Sequence, residues 1–245
     1  MDRKPALFLA LAITLLIVTN YLFFTGNLFE NQREKVVLSR AIDGDTVELK
    51  DGRIIRLVNV NTPERGEFGY DRAKEFLEKF VGETIELEVV GIGKYGRTLG
   101  RIYTENYINL ELVKKGLAHS YLVEKGELKE FKRVENEARL KGLGIWEKSE
   151  HNGCLDVEIN KKEEFLVIED ACDLNFKGWM LKDESTKRYK FGNIQKNQVT
   201  LYSGKGQDNE NEIFWGRNNV WNNDKDSIFI RDEKGLLVYY DSYGY

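Results

Sequence analysis

The 245-residue chain is poor in the side chains that build metal clusters and covalent catalysts. It has two cysteines, two histidines, two methionines and two prolines. The cysteines, Cys154 and Cys172, fit no zinc pattern, which needs four Cys or His ligands. They are either a disulfide of a domain outside the cytoplasm or two separate buried thiols. Neither His119 nor His151 has a Ser/His/Asp or His–metal setting, so both are expected to be surface or turn residues. Charge of one sign is also lacking: the net charge is −4. That excludes a protein that coats nucleic acid by bulk electrostatics, but leaves room for a local basic cleft. With 41% hydrophobic and 32% charged residues the chain is globular, not disordered.

Residues 5–29 carry no charge and include ALFLALAITLLIVTNYLFF, close to the roughly 20 apolar residues that span a bilayer. Arg3 and Lys4 precede the run, and no small-x-small cleavage pattern follows it. Residues 1–33 are therefore expected to be an uncleaved anchor and linker, with the rest of the chain outside the membrane. Alternation predicts strands at 36–41, 46–50, 53–60, 84–90 and 97–103, with Asp51-Gly52 as a hairpin turn. Helices are expected at 68–80, at 109–116 capped by Asn109, and at 128–141, with Ile145-Trp146 as an apolar plug. Five short strands interrupted by helices suggest a small α+β barrel of the oligonucleotide-binding type over 34–148. Residues 147–153 are polar and mark a boundary. Beyond it, over 149–245, short strands alternate with turns and no helical period appears, which predicts an antiparallel β-sandwich.

The chemistry gathers at 41–64, AIDGDTVELKDGRIIRLVNVNTPE. Asp45, after Gly44, is an oxygen ligand for a hard cation, and Asn61 and the Thr62 carbonyl are placed to share it. Calcium accepts such mixed sets. Arg56 lies in an otherwise apolar strand, where an arginine is destabilising unless it faces a cleft or a partner. The plain alternative is a salt bridge to Glu48 or Glu67. Arginine suits phosphate because its planar fork binds two oxygens and keeps its charge. Glu64 follows Pro63, which fixes the local backbone. Phosphodiester hydrolysis needs a deprotonated water, neutralised charge on phosphorus and in-line positioning.

Together AIDGDTV (41–47), RLVNVNTPE (56–64), KYGR (94–97), GLA (116–118) and GIW (144–146) resemble the staphylococcal nuclease-like (thermonuclease) family, in its order and spacing. The resemblance implies a calcium-dependent endonuclease acting on DNA and RNA. It would give Arg56 and Arg97 the scissile phosphate and Glu64 the attacking water. Asp45, Asn61 and the Thr62 carbonyl would hold calcium. Lys94, Tyr95 and Tyr121 would bind substrate. One departure stands out: the family usually has aspartate where this chain has Asn61. The amide keeps an oxygen but loses a negative charge, so calcium affinity is expected to fall. The second region resembles the immunoglobulin-like lamin-tail family through GWMLKDES (178–185), VTLYSGKG (199–206) and the segment 215–235. It would be a binding or targeting module for an unknown ligand, with Trp179, Trp215 and Trp221 in its core. The expected protein is a membrane-tethered nuclease. The rivals are a barrel that only binds nucleic acid and a surface protein whose sandwich carries the function.

Overall fold

The structure, a computed structural model, describes residues 12–20, 33–93 and 96–245. Residues 12–20 are helical. The rest of the apolar run expected to be an anchor lies outside the described residues. Among the described residues no helix is long and apolar enough to cross a membrane.

The first body is a closed five-stranded barrel in the order β1 (Arg33–Ala41), β2 (Thr46–Leu49), β3 (Ile54–Leu57), β6 (Thr98–Tyr103), β5 (Thr84–Ile92). The alternation predicted from sequence is observed except at Val89, expected inward, which is exposed where the register shifts between Val89 and Gly91. Val47, Leu49, Ile55, Leu57, Ile85 and Leu87 point inward and are buried. Gly52 takes the left-handed conformation that the hairpin between β2 and β3 requires. Three helices pack around the barrel: α1 (Tyr70–Glu78), α2 (Ile108–Lys114) and α3 (Leu128–Leu140). Ala73, Phe76 and Leu77 are the buried face of α1, and Phe131, Val134 and Ala138 that of α3.

Two local expectations are corrected. The strand expected over 53–60 breaks after Leu57. Asn59 adopts φ 67, and Val60–Asn61 leave the barrel as β4 to pair with β7 (His119–Ser120). Asn109 is not a helix cap, since Tyr107 holds that position. Its fully buried amide instead accepts from the Ile102 N–H and donates to the Val58 and Gly100 carbonyls. A buried polar side chain finds its partners across the fold rather than along the chain.

The second body holds two four-stranded sheets. One runs β11 (Arg188–Lys190), β10 (Met180–Lys182), β14 (Asp226–Arg231), β15 (Leu237–Tyr243). The other runs β13 (Glu212–Phe214), β12 (Gln198–Tyr202), β9 (Phe165–Asp170), β8 (Leu155–Asn160). They share one apolar core that includes Leu166, Leu181, Val199 and Ile228. Trp179 and Trp221 are buried in it and Trp215 packs against it. Strand β13 has no counterpart in the sequence reading, and it pairs with β12 in parallel. Cys154 and Cys172 form a disulfide, with Cα atoms 5.5 Å apart.

The segment expected to be a bare boundary is itself bonded. The Leu237 N–H donates to the Glu147 carbonyl, and the Ser149 N–H donates to that of Leu237. Trp146, with no exposed surface, packs with Ile145 and Ala138 against Phe229 and Leu237 of the sandwich. The plug expected to close the barrel is thus the apolar joint between the two bodies.

Candidate active site

Asp45 directly precedes β2, and Arg56 on β3 lies opposite Thr46, so strand pairing brings the two together. The Arg56 Nε stands 3.1 Å from the Asp45 Oδ1. Neither Glu48 nor Glu67 holds Arg56. Glu48 pairs with Arg40, and Glu67 turns to the sandwich. The Arg56 Nη1 donates to the Leu57 and Val60 carbonyls at 2.5 and 2.9 Å, and Nη2 donates to the Asn61 Oδ1 at 3.1 Å. Four of the five guanidinium N–H groups are thereby used. The arginine is rigidly placed and keeps one Nη2 hydrogen for a ligand.

Arg97 is the opposite case. It directly precedes Thr98, which pairs with Ile55, the neighbour of Arg56. The two arginines therefore emerge from adjacent strands. The Arg97 Nε is buried and has no hydrogen-bond partner among the described residues. A buried donor without an acceptor is destabilising by about 1–3 kcal/mol. An anion taken at that position would relieve the penalty.

Glu64 is half-buried in the segment between β4 and α1. Its N–H donates to the Glu67 Oε2 at 2.9 Å, and the Glu67 N–H donates back to the Glu64 carbonyl at 2.8 Å. Glu67 also accepts from the Lys182 Nζ at 2.9 Å and the Arg188 Nη1 at 3.3 Å, both from the sandwich. Sequence reasoning missed Glu67 as a support of this turn. Its partners lie 115 and 121 residues away, and no local pattern announces them.

The residues given to calcium do not fit that ion as arranged. A carboxylate offers about four lone-pair directions, and Asp45 has four donors around it. Its Oδ2 accepts from the Thr62 N–H and hydroxyl at 2.9 and 3.0 Å. Its Oδ1 faces the Arg56 Nε and accepts from the Thr46 hydroxyl at 3.2 Å. Burial pushes the Asp45 carboxyl upward, and the Arg56 charge opposes this. The Asn61 Oδ1 is taken by Arg56, while its Nδ2 donates to the Glu184 carbonyl at 3.1 Å and the Ser185 carbonyl at 3.4 Å. Among the described residues no group of three or more His, Cys, Asp or Glu side chains could hold a metal ion.

Tyr121 borders the site. Its N–H donates to the Asn59 carbonyl, and burial together with Glu184, Asp183 and Asp226 raises its pKa. Lys94 and Tyr95 lie outside the described residues. His119 is not the surface residue expected. It is buried in β7 against Phe229, 5.1 Å between ring centroids. Burial, with Lys182, Arg231 and Arg56 nearby, pulls its pKa down to about 3, so the ring is neutral at physiological pH. His151 stacks on Trp179.

A barrel with Arg56 and Arg97 brought together by neighbouring strands and Glu64 on a braced turn is matched to a class of hydrolases by the comparisons. A family model described as "Staphylococcal nuclease homologue" matches residues 54–148. An "Uncharacterized endonuclease" of Escherichia coli O157:H7 is 32% identical over 116 residues, which cover 44% of this chain and 73% of that protein. "Endonuclease YncB" of Bacillus subtilis is 32% identical over 151 residues, 51% of this chain and 72% of its own length. "Endonuclease YhcR" of the same organism is 31% identical over 140 residues, only 11% of its length. The chain belongs to the staphylococcal nuclease homologue family, and it is a nuclease, a phosphodiester hydrolase.

Proposed function

We propose that the chain is an endonuclease that hydrolyses phosphodiester bonds of DNA, RNA or both, with its site in the barrel. The observation that carries this reading is the buried Arg97 Nε, unpartnered among the described residues, beside the strand that fixes Arg56. Arg97 supplies most of the free donors to the scissile phosphate, and Arg56 adds its remaining Nη2 hydrogen. As negative charge grows on the phosphoryl oxygens, these preorganised donors are worth more than in water. Glu64 takes the proton of the attacking water. Lys94, Tyr95 and Tyr121 bind the flanking nucleotide. Calcium is the ion that the resemblance implies, with Asp45, Asn61 and Thr62 as its ligands. Because the Asp45 carboxylate and the Asn61 Oδ1 are already engaged, no step here runs through it.

The chain is read as a barrel domain over 34–148 and a sandwich domain over 149–245, a division that the two separate apolar cores support. The sandwich is read as lamin-tail-like and immunoglobulin-like, from the sequence motifs that carry the resemblance. Two features support a tethered, extracytoplasmic protein: the uncharged sequence over 5–29 and the disulfide, which persists in oxidising compartments.

The test is cleavage of a labelled oligonucleotide by the full chain, with and without calcium. Arg97→Ala is compared with wild type, and loss of one such donor lowers kcat by about 10²–10³. Wild-type kcat in Arg97→Ala would remove Arg97 from the mechanism. Absence of cleavage in wild type under both conditions, with retained oligonucleotide binding, would instead favour a binding module.

A further inference from the structure

The outer face of β11–β10–β14 is turned toward the catalytic turn of the barrel. Its inner face, with Leu181 and Ile230, belongs to the sandwich core. On the outer face cross-strand register sets Lys190, Met180 and Arg231 in one row and Arg188, Lys182 and Phe229 in the next. Directly opposed side chains of a sheet lie only about 4.5–5.5 Å apart at Cβ, and like charges there repel. Yet Lys182 stands directly opposite Arg188. Lys190 and Arg231 are two strands apart, roughly 10 Å. Four cations thus share one sheet face. One barrel carboxylate, Glu67, pairs with Lys182 and Arg188. Asp232 faces Arg231, but its oxygens are also bonded to Ser149 and to the backbone of its own turn. Lys190 is exposed and has no partner among the described residues.

This face forms one wall of a cleft of about 790 Å³ between the two bodies. The opposite wall starts at Thr62 and Pro63, next to Glu64, and runs through Arg65 to Lys74 on α1. Six cationic and four acidic side chains line the cleft, a surplus of two positive charges in a chain whose net charge is −4. Desolvation in this setting pulls the Arg231 guanidinium down to about 10, and Glu67 and Asp232 oppose that shift. The site is a cation-rich groove that begins next to the segment bearing Glu64.

We infer that the cleft between barrel and sandwich is an accessory nucleic-acid site, in which Lys190, Arg65 and the cationic face of β11–β10–β14 bind phosphates of the substrate strand beyond the scissile bond. The inference rests on the proposed reading of the barrel as the cleaving domain. It extends that reading by giving the sandwich a part in holding substrate. The partner is a phosphodiester backbone: six cations line the groove beside the apolar surface of Pro63, Phe68, Tyr70, Ile145, Met180 and Phe229, and contacts to phosphates carry no sequence information.

The test separates this site from the chemistry. Binding is read by fluorescence anisotropy on the full chain carrying Glu64→Gln, with a labelled 12-nucleotide single strand and a labelled dinucleotide as probes. Lys190→Ala is compared with Lys196→Ala, an exposed sandwich lysine that does not line the cleft. Lys190→Ala is expected to weaken 12-mer binding about three- to tenfold and to reduce the slope of log affinity against log salt by about 1. Its effect on the dinucleotide is expected to be smaller, and Lys196→Ala is expected to change neither. Equal losses for Lys190→Ala and Lys196→Ala, an unchanged salt slope, or equal losses on both probes would overturn the accessory site. Absence of cleavage in wild type, with the Lys190 effect intact, would overturn the catalytic reading and leave the groove standing.

Discussion

Asn61→Asp tests how the barrel and sandwich are joined. In the folded chain Asn61 is 5% exposed. Its Oδ1 accepts from Arg56, and its Nδ2 donates to the carbonyls of Glu184 and Ser185. A carboxylate there would still accept from Arg56, and more strongly, a gain of about 1 kcal/mol over a neutral acceptor. It would also turn an oxygen toward two carbonyl oxygens that had received N–H donors. Two net hydrogen bonds of about 1 kcal/mol each would go, and buried acceptors left unpaired would add about 1–3 kcal/mol. The balance is a destabilisation of about 2–4 kcal/mol. In a chain of this size 1 kcal/mol moves Tm by roughly 2–4 °C, so Tm should fall by roughly 4–16 °C. Calorimetry or thermal circular dichroism of both proteins in EDTA gives the answer. An Asn61→Asp protein as stable as wild type would refute the bridging amide. If calcium then raised its Tm but not that of wild type, residue 61 would be facing a metal rather than the sandwich.

Further outcomes follow from the same contacts. Arg56→Ala leaves the buried Asp45 carboxyl without its guanidinium, so it should lower unfolding stability by about 3 kcal/mol. Arg97→Ala removes no hydrogen bond among the described residues and takes away a buried unpaired donor, so it should leave stability unchanged or raise it by up to about 1–3 kcal/mol, although both variants are expected to lose activity; urea melts distinguish them. Burial raises the Glu135 carboxyl from 4.5 to about 7, while the Ser120 N–H opposes the shift. Its folded pKa lies above the unfolded value, so its contribution to stability is fully present below about pH 4.5 and is lost as pH rises through about 7. Glu135→Gln should therefore flatten the fall in denaturant midpoint between pH 5 and pH 8, and an unchanged pH profile would show that Glu135 titrates normally. Replacing Cys154 and Cys172 by serine opens a loop with a sequence separation of 18 and should lower stability by about 3 kcal/mol. Equal melts for the oxidised wild type and the double variant would contradict that.

The barrel was legible in the sequence because its information is local. Alternating residues at 46–49 and 84–87, a Gly at a hairpin and an apolar stripe on each helix act within a few residues of one another. Arg56 stood out for a similar reason, a charge inside an apolar strand. Its true partner, Asp45, lay in the same 41–64 stretch rather than at Glu48 or Glu67. What the sequence hid depends on distant pairings. The β4–β7 pair joins segments about sixty residues apart, and only that pairing explains the break after Leu57. The Asn109 amide reads as a cap in a one-dimensional pattern, yet it closes backbone gaps near Val58 and Gly100. Arg101 gave no signal either. It is buried with Glu88, Glu124 and Glu127 around it. A charged residue that is fully paired looks the same in sequence as one on the surface.

Asn61 and Glu67 give the departure from the family pattern a physical sense. The segment between β4 and α1, which bears the proposed base Glu64, has no regular hydrogen-bonded structure of its own, so its position must come from side-chain and tertiary contacts. Asn61 at its start reaches the Glu184 and Ser185 carbonyls, and Glu67 at its end reaches Lys182 and Arg188. Both ends of the segment that bears Glu64 are therefore held by the same stretch of the sandwich, 182–188. An aspartate at position 61 would have no hydrogen to give those carbonyls, whereas an amide serves Arg56 with one end and the sandwich with the other. The amide that weakens the expected calcium set is thus the group that lets a second domain seat against the site. The geometry of Glu64 then depends on sandwich docking, and that dependence would be absent from a barrel that works alone.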